Sequence, residues 1–134
     1  MTRAEFAERE LDIMSILWRR GSATVAEVRA ELAEELAYTS VLSALQALEE
    51  KGYVDHEQEG RAYRYRPLVA ADDAGETALT RVLDKIFHGS AEQLLAQLVS
   101  DRRIPPAELK RMRKLLAERE AALRRVRRYG YLEG

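Results

Sequence analysis

The stretch from Ala37 to Gly52 constrains this chain more than any other, because its two sides ask for different surroundings. At helical spacing Val41, Ala44, Leu45 and Leu48 share one side, while Thr39, Ser43, Gln46 and Glu50, at i, i+4, i+7 and i+11, share the opposite one. The first side is a core face. An ordinary solvated face would carry long charged side chains, so two hydroxyls and an amide in a row describe a surface shaped to lie close against something. Serine, threonine and glutamine can hydrogen-bond base edges in a DNA major groove. Lys51-Gly52 ends the helix, with a cation in the last turn and a glycine free to take the left-handed conformation.

Two short alternating runs follow, Tyr53 to Gln58 and Arg61 to Arg66, joined at Glu59-Gly60, and they predict a hairpin. Upstream, Leu11, Met14, Leu17 and Trp18, widened by Ile13 and Ile16, predict a first helix over 7–20 buried along one side and stopped by Gly21. Trp18 belongs to that core stripe. After a short turn at Ser22-Ala23, Thr24-Val25-Ala26-Glu27 has the pattern of a capping box. It opens a second helix whose apolar face is Val25, Val28, Leu32 and Leu36. Residues 34–37 then lead directly into the organising helix. Two closely linked helices followed by a hairpin make a helix-turn-helix with a wing.

This order, with Ala37-Tyr38-Thr39-Ser40-Val41-Leu42, Gln46, Leu48, Lys51-Gly52, Gly60-Arg61-Ala62-Tyr63 and Tyr65-Arg66-Pro67-Leu68, resembles the penicillinase-repressor (BlaI/MecI/CopY) family of bacterial transcriptional repressors. The resemblance runs from about residue 10 to about residue 116, and motif order and spacing match together. It implies a winged helix-turn-helix protein that dimerises and represses transcription. In the wing, Tyr63 and Tyr65 fall on one face and Arg64 and Arg66 on the other, with Arg61 beside the turn. On the residues alone these arginines are equally a solvated face. The resemblance assigns the wing to DNA, with Arg61 at its tip on phosphate or in the minor groove and Arg64 in support.

Beyond Pro67, residues 70–75 form a linker, and three one-sided helices follow. The first carries Ala78, Leu79, Val82, Leu83, Ile86 and Phe87 and stops at His88-Gly89. The second opens with a capping box at Ser90 and Gln93 and carries Leu94, Leu95, Leu98 and Val99. The third starts at Pro105-Pro106, and its Leu109, Met112, Leu116, Leu123 and Val126 keep a 3-4 spacing interrupted by Arg119. Helices this short and this one-sided bury their stripes more naturally against a second copy than within one chain, so a homodimer through residues 70–126 is expected. The alternative is a monomer that folds this segment back onto the winged domain. The fold class is thus mostly α with a β wing: residues 1–69 a winged helix-turn-helix domain, residues 70–134 a helical dimerisation region. That region ends in a basic tail, Arg124-Arg125-Val126-Arg127-Arg128, which is either a soluble helix end or an auxiliary phosphate contact.

Composition closes off other chemistry. There is no cysteine, so disulfides, thiol nucleophiles and cysteine metal sites are excluded. No apolar run approaches the roughly 20 residues of a membrane span, and the polar start Met-Thr-Arg-Ala-Glu is no signal peptide, so a cytoplasmic protein is expected. His56 and His88 share no motif and no glycine-rich phosphate loop follows a strand. No catalytic constellation, metal site or cofactor is therefore expected. Net charge is −1, but residues 1–68 hold 9 Lys+Arg against 13 Asp+Glu and residues 69–134 hold 13 against 10. The DNA-reading half is acidic, against the usual basic footprint. This requires its acids, among them Glu8, Glu10, Asp12, Glu27, Glu31, Glu34 and Glu35, to face away from the groove.

The expected function is a dimeric repressor on a palindromic operator. Thr39, Ser43 and Gln46 read bases, Tyr38 and Ser40 meet phosphate at the helix start, and Lys51, Arg61 and Arg64 add cations. The dimer is expected to form through Leu79, Val82, Leu83, Ile86, Phe87, Leu94, Leu98, Leu109, Met112 and Leu116. The resemblance adds a membrane metalloprotease sensor as a partner, but the family's cleavage position, an Asn before a large apolar residue, matches Gln97-Leu98 here. The family's C-terminal cysteine cluster for copper is missing, and Ala47 stands where the reading helix commonly carries Arg. A winged-helix module that binds protein instead of DNA is the competing reading, favoured by the acidic half and by Ala47.

Overall fold

The structure, a computed structural model, describes residues 6–101 and 103–133, with side chains at 6–100 and 103–128. It falls into two compact units, one reaching to His88 and one beginning at Gly89. In chain order the first unit holds α1 (Glu8–Arg20), β1 (Ala23–Thr24), α2 (Val25–Glu31), α3 (Tyr38–Glu50), β2 (Val54–Glu59), β3 (Ala62–Pro67) and α4 (Ala71–Lys85). The second holds α5 (Ala91–Asp101) and α6 (Pro106–Glu133). The first unit is a winged helix, α1 to α3 with a three-stranded antiparallel sheet in the order β1-β3-β2, followed by α4.

One core explains the packing. Ile13, Met14, Ile16 and Leu17 of α1, Val25 and Val28 of α2, and Val41, Leu45 and Leu48 of α3 are buried with Ala23, Tyr53, Val54 and Tyr65. The 3-4 spacing of α3 therefore places its apolar face as read. Leu11 does not join: at 44% exposed it lies off the buried side of α1, which runs through Ile13 and Ile16 instead. Leu32 and Leu36 pack on the core from beyond the end of α2, because the helix stops at Glu31 and Leu32 is already extended.

Helix ends follow local chemistry. Thr24 Oγ1 accepts from the Glu27 backbone N–H at 3.2 Å, and the Glu27 carboxylate accepts from the Thr24 N–H at 2.8 Å, a complete capping box. At the end of α3 the Tyr53 N–H donates to Leu48 O and the Gly52 N–H to Glu49 O, with Gly52 at φ 82°, a Schellman motif that turns the chain sharply into β2.

Three readings of the sequence are corrected. Ser22-Ala23 is not simply a turn, since Ala23 and Thr24 pair with Tyr65 and Arg64 as a third strand too short to show periodicity. The hairpin turns at Gly60-Arg61, one residue later than read: Glu59 pairs with Ala62, and Gly60 takes φ 62° at the first central position, as a type II′ turn requires. Residues 71–75 are helix rather than linker. Asp72 and Asp73 sit favourably in the first turn of α4 and Ala74 is buried, which together outweigh the cost of about 1 kcal/mol for a glycine at 75.

In the second unit Ser90 Oγ accepts from the Gln93 N–H and opens α5, and α6 runs as one helix of 28 residues that includes the basic tail. No helix among the described residues is long and apolar enough to cross a membrane.

Candidate nucleic-acid interface

The candidate surface is built on α3, held from beneath by Val41, Leu45 and Leu48 and fixed in direction by its Schellman end. Its outward residues Thr39, Ser43, Gln46 and Glu50 are exposed, as are Tyr38 and Ser40 in the first turn. Among the described residues no hydrogen bond engages the side chains of Thr39, Ser40, Ser43 or Gln46. Ala37 precedes the helix without a side-chain cap, and the Ser40 N–H donates to its carbonyl at 3.0 Å.

The wing lies alongside. His56 of β2 touches the rings of Tyr63 and Tyr65 at 5.0 and 5.1 Å between centroids, and its Nδ1 meets the Glu49 carboxylate at the end of α3. The wing is thereby tied to the reading helix. Tyr65 is buried, and that burial raises its phenol pKa; Tyr63 is 39% exposed. Arg61, second residue of the turn, is exposed and makes no ion pair to any described residue.

The other two expected cations are occupied. Lys51 Nζ donates to Glu10 Oε2 at 2.7 Å, which raises the lysine pKa. Burial pushes the Glu10 carboxyl up, but hydrogen bonds from Lys51 and the Ala7 N–H together bring it below its ordinary range. Arg64 donates to Glu59 at 3.0 Å, lies 3.3 Å from Glu27 and reaches Ser22 Oγ, contacts that the unread strand β1 makes possible. Glu59 contributes most to raising its pKa. Beside it Arg66 grips Asp55 with two hydrogen bonds at 2.6 and 3.1 Å and lowers that carboxyl's pKa.

The acids of this half are largely used inside the unit. Glu27 and Glu31 take Arg20 at 2.6 and 2.8 Å, Glu31 also takes Arg19, and Glu34 takes Arg9 at 3.4 Å. Arg9 is the residue that the sequence did not single out. It stands in the first turn of α1, inside an acidic run, yet it lines an open depression with Thr39, Ser40, Ser43 and Ala44. Its nearness to α3 comes only from the packing of α1.

The apolar residues expected at a subunit contact are incompletely covered within the chain. On α4 and the turn that follows it, Leu79 is 53% and Ile86 64% exposed, and Val82 is exposed, whereas Leu83 and Phe87 are half-buried. On α5 and α6, Leu98, Leu109 and Leu116 are exposed, and Leu94 and Met112 are half-buried. Leu95, Val99, Leu115, Leu123 and Val126 add to these surfaces. Among the described residues no cluster of three His, Cys, Asp or Glu could hold a metal ion.

Comparison with known proteins assigns the chain to a family. The sequence profile described as penicillinase repressor matches residues 6–118. The chain is 35% identical over 119 residues to the transcriptional regulator BlaI of Mycobacterium tuberculosis, covering 84% of this chain and 83% of that protein. It is 22% identical over 116 residues to the penicillinase repressor of Bacillus licheniformis, covering 85% and 91%. Among solved structures, hsRosR-S4 in its complex aligns with a TM-score of 0.53 at 21% identity over 90% of this chain and 95% of that one, a likeness of fold.

Proposed function

Because the chain belongs to the penicillinase-repressor family, and so to the transcriptional repressors, we propose that it acts as a homodimer on a two-fold symmetric operator. Each subunit lays the outer face of α3 in a major groove, with Thr39, Ser43 and Gln46 toward base edges and Tyr38 and Ser40 toward phosphate. Arg61 extends the contact along the backbone from the wing. The observation that carries this reading is the exposed, unengaged row of hydroxyl and amide groups on a helix whose other face is locked in the core. Lys51 and Arg64 act more through their carboxylate partners, Lys51 holding α1 to the end of the reading helix and Arg64 holding the wing to the start of α2, than through phosphate.

Dimerisation rests on the leucine-rich stripes of α4, α5 and α6, where Leu79, Leu98 and Leu116 are exposed in a single chain. Gln97-Leu98, at the family's cleavage position, lies inside α5, so a protease would reach extended backbone there only after local unfolding. Release through a metalloprotease sensor would therefore begin with that opening.

The test is selection of bound duplexes from a random pool, followed by anisotropy titration of the selected site across a salt series. Enrichment of a two-fold symmetric sequence, salt-sensitive binding and its loss in a Gln46→Ala, Arg61→Ala double variant support the reading. A pool that stays random after selection, with folded protein, overturns it. That result favours the protein-binding reading, which the carboxylate of Glu50 on the same exposed stripe supports.

A further inference from the structure

The reading face has no cation of its own, and this leaves open what fixes the DNA backbone beside it. Lys51 and Arg64 are held by partners that would be left with unpaired charge on release. The Glu10 side chain is only 13% exposed, and Arg64 has two carboxylates and a hydroxyl around it. Arg66 is held by both oxygens of Asp55.

Arg9 differs on each count. Its side chain is 50% exposed, it borders the depression shared with Thr39, Ser40 and Ser43, and its one ion pair among the described residues is to Glu34 at 3.4 Å. Glu34 is itself 66% exposed, in the connection between α2 and α3. A pair so long and so wet contributes little, and breaking it strands no buried charge. A phosphate oxygen entering the depression would meet the guanidinium together with the Ser40 hydroxyl, and guanidinium matches phosphate in a forked, two-bond geometry.

We propose that Arg9 is the phosphate-contacting cation of the reading face, and that Glu34 is its intramolecular competitor, exchanged for a backbone phosphate when DNA binds. This rests on the DNA-binding reading above. It gives α1 a part in binding that neither the helix-turn-helix pattern nor the wing supplies. It also supplies a cation to a helix that carries no Lys or Arg between Tyr38 and Glu50. The contact is to the backbone, so it adds affinity without sequence preference.

Three single variants, and Arg9→Gln combined with Glu34→Gln, test it on the selected operator and on scrambled duplex. Arg9→Gln should weaken binding to both DNAs by similar factors and flatten the plot of log affinity against log salt by about 1 per subunit. Glu34→Gln should strengthen binding a few-fold, and only while Arg9 is present. Arg9→Lys should restore the slope. If the pair were only a strut between α1 and the α2–α3 connection, breaking it from either side would weaken binding alike. Equal weakening by both variants, or an unchanged slope in Arg9→Gln with operator binding intact, overturns this proposal alone. Failure of the unaltered protein to select any sequence overturns the parent reading and this one with it.

Discussion

The indole Nε1 of Trp18 donates a 2.7 Å hydrogen bond to the backbone carbonyl of Val69, closing the winged unit between the end of α1 and the chain leaving the wing. Phe6 supports the same corner, edge-on to Trp18 at 6.0 Å and to Tyr53 at 4.8 Å between centroids. The position where β3 hands over to α4 is thus set by a side chain from the first helix.

Trp18→Phe keeps an aromatic ring at this corner but leaves the Val69 carbonyl without its donor. The unfolding free energy should fall by about 1–3 kcal/mol, read from the urea midpoint with an unchanged denaturant slope. An unaltered midpoint would show that water replaces the indole at no cost.

Gln46→Ala removes the longest polar side chain of the exposed row while leaving the helix core intact. Operator affinity should drop by about 1–3 kcal/mol with preference relaxed at one base pair per half-site, measured by titrating single-base operator variants. Equal weakening on scrambled DNA would assign Gln46 to the backbone instead.

The Glu10 carboxyl titrates below its unfolded value because Lys51 and the Ala7 amide donate to its charged form. The stability it contributes is therefore complete above the ordinary carboxylate range, about pH 4.3, and is lost as pH falls through the lower native value. Glu10→Gln should lower stability by about 1 kcal/mol at neutral pH, and the gap to the unaltered protein should close at the acid end of a pH series of thermal melts. A gap that persists there would mean that packing rather than charge is responsible.

Leu116 is 57% exposed on α6 and sits in the 3-4 stripe with Leu109 and Met112. If a second copy covers it, Leu116→Glu brings two carboxylates into that contact and weakens dimerisation by about 3–5 kcal/mol, while helix content by circular dichroism stays the same. Sedimentation equilibrium reads this directly, and an unchanged association constant would move the subunit contact elsewhere.

Much of the fold was legible because it rests on local periodicity and end chemistry. The apolar spacing of α3, the Thr24–Glu27 box and the stop at Gly52 each depend on residues within a turn or two of one another. What escaped was tertiary. Strand β1 is two residues long and exists only because β3 lies beside it, and with it came the carboxylate and hydroxyl that surround Arg64. Leu11 looked like core since hydrophobicity has no direction until a helix is docked. Arg9 was hidden for the same reason, for its relation to Ser43 spans two helices and no pattern along the chain encodes it. The exposed row on α3 was legible as a face, whereas the engagement of Lys51 by Glu10 was not.

The sheet order leaves β2 as the outer strand of the wing, and its side chains are Asp55, His56, Glu57, Gln58 and Glu59. An outer strand offers unpaired amides and carbonyls to any similar strand that approaches. Here Asp55 and Glu59 are already engaged by Arg66 and Arg64, so such an approach by a second wing sets Glu57 and these filled ion pairs against their own copies, with no cation released to bridge them. An edge of this composition disfavours stacking, strand on strand, through the wings.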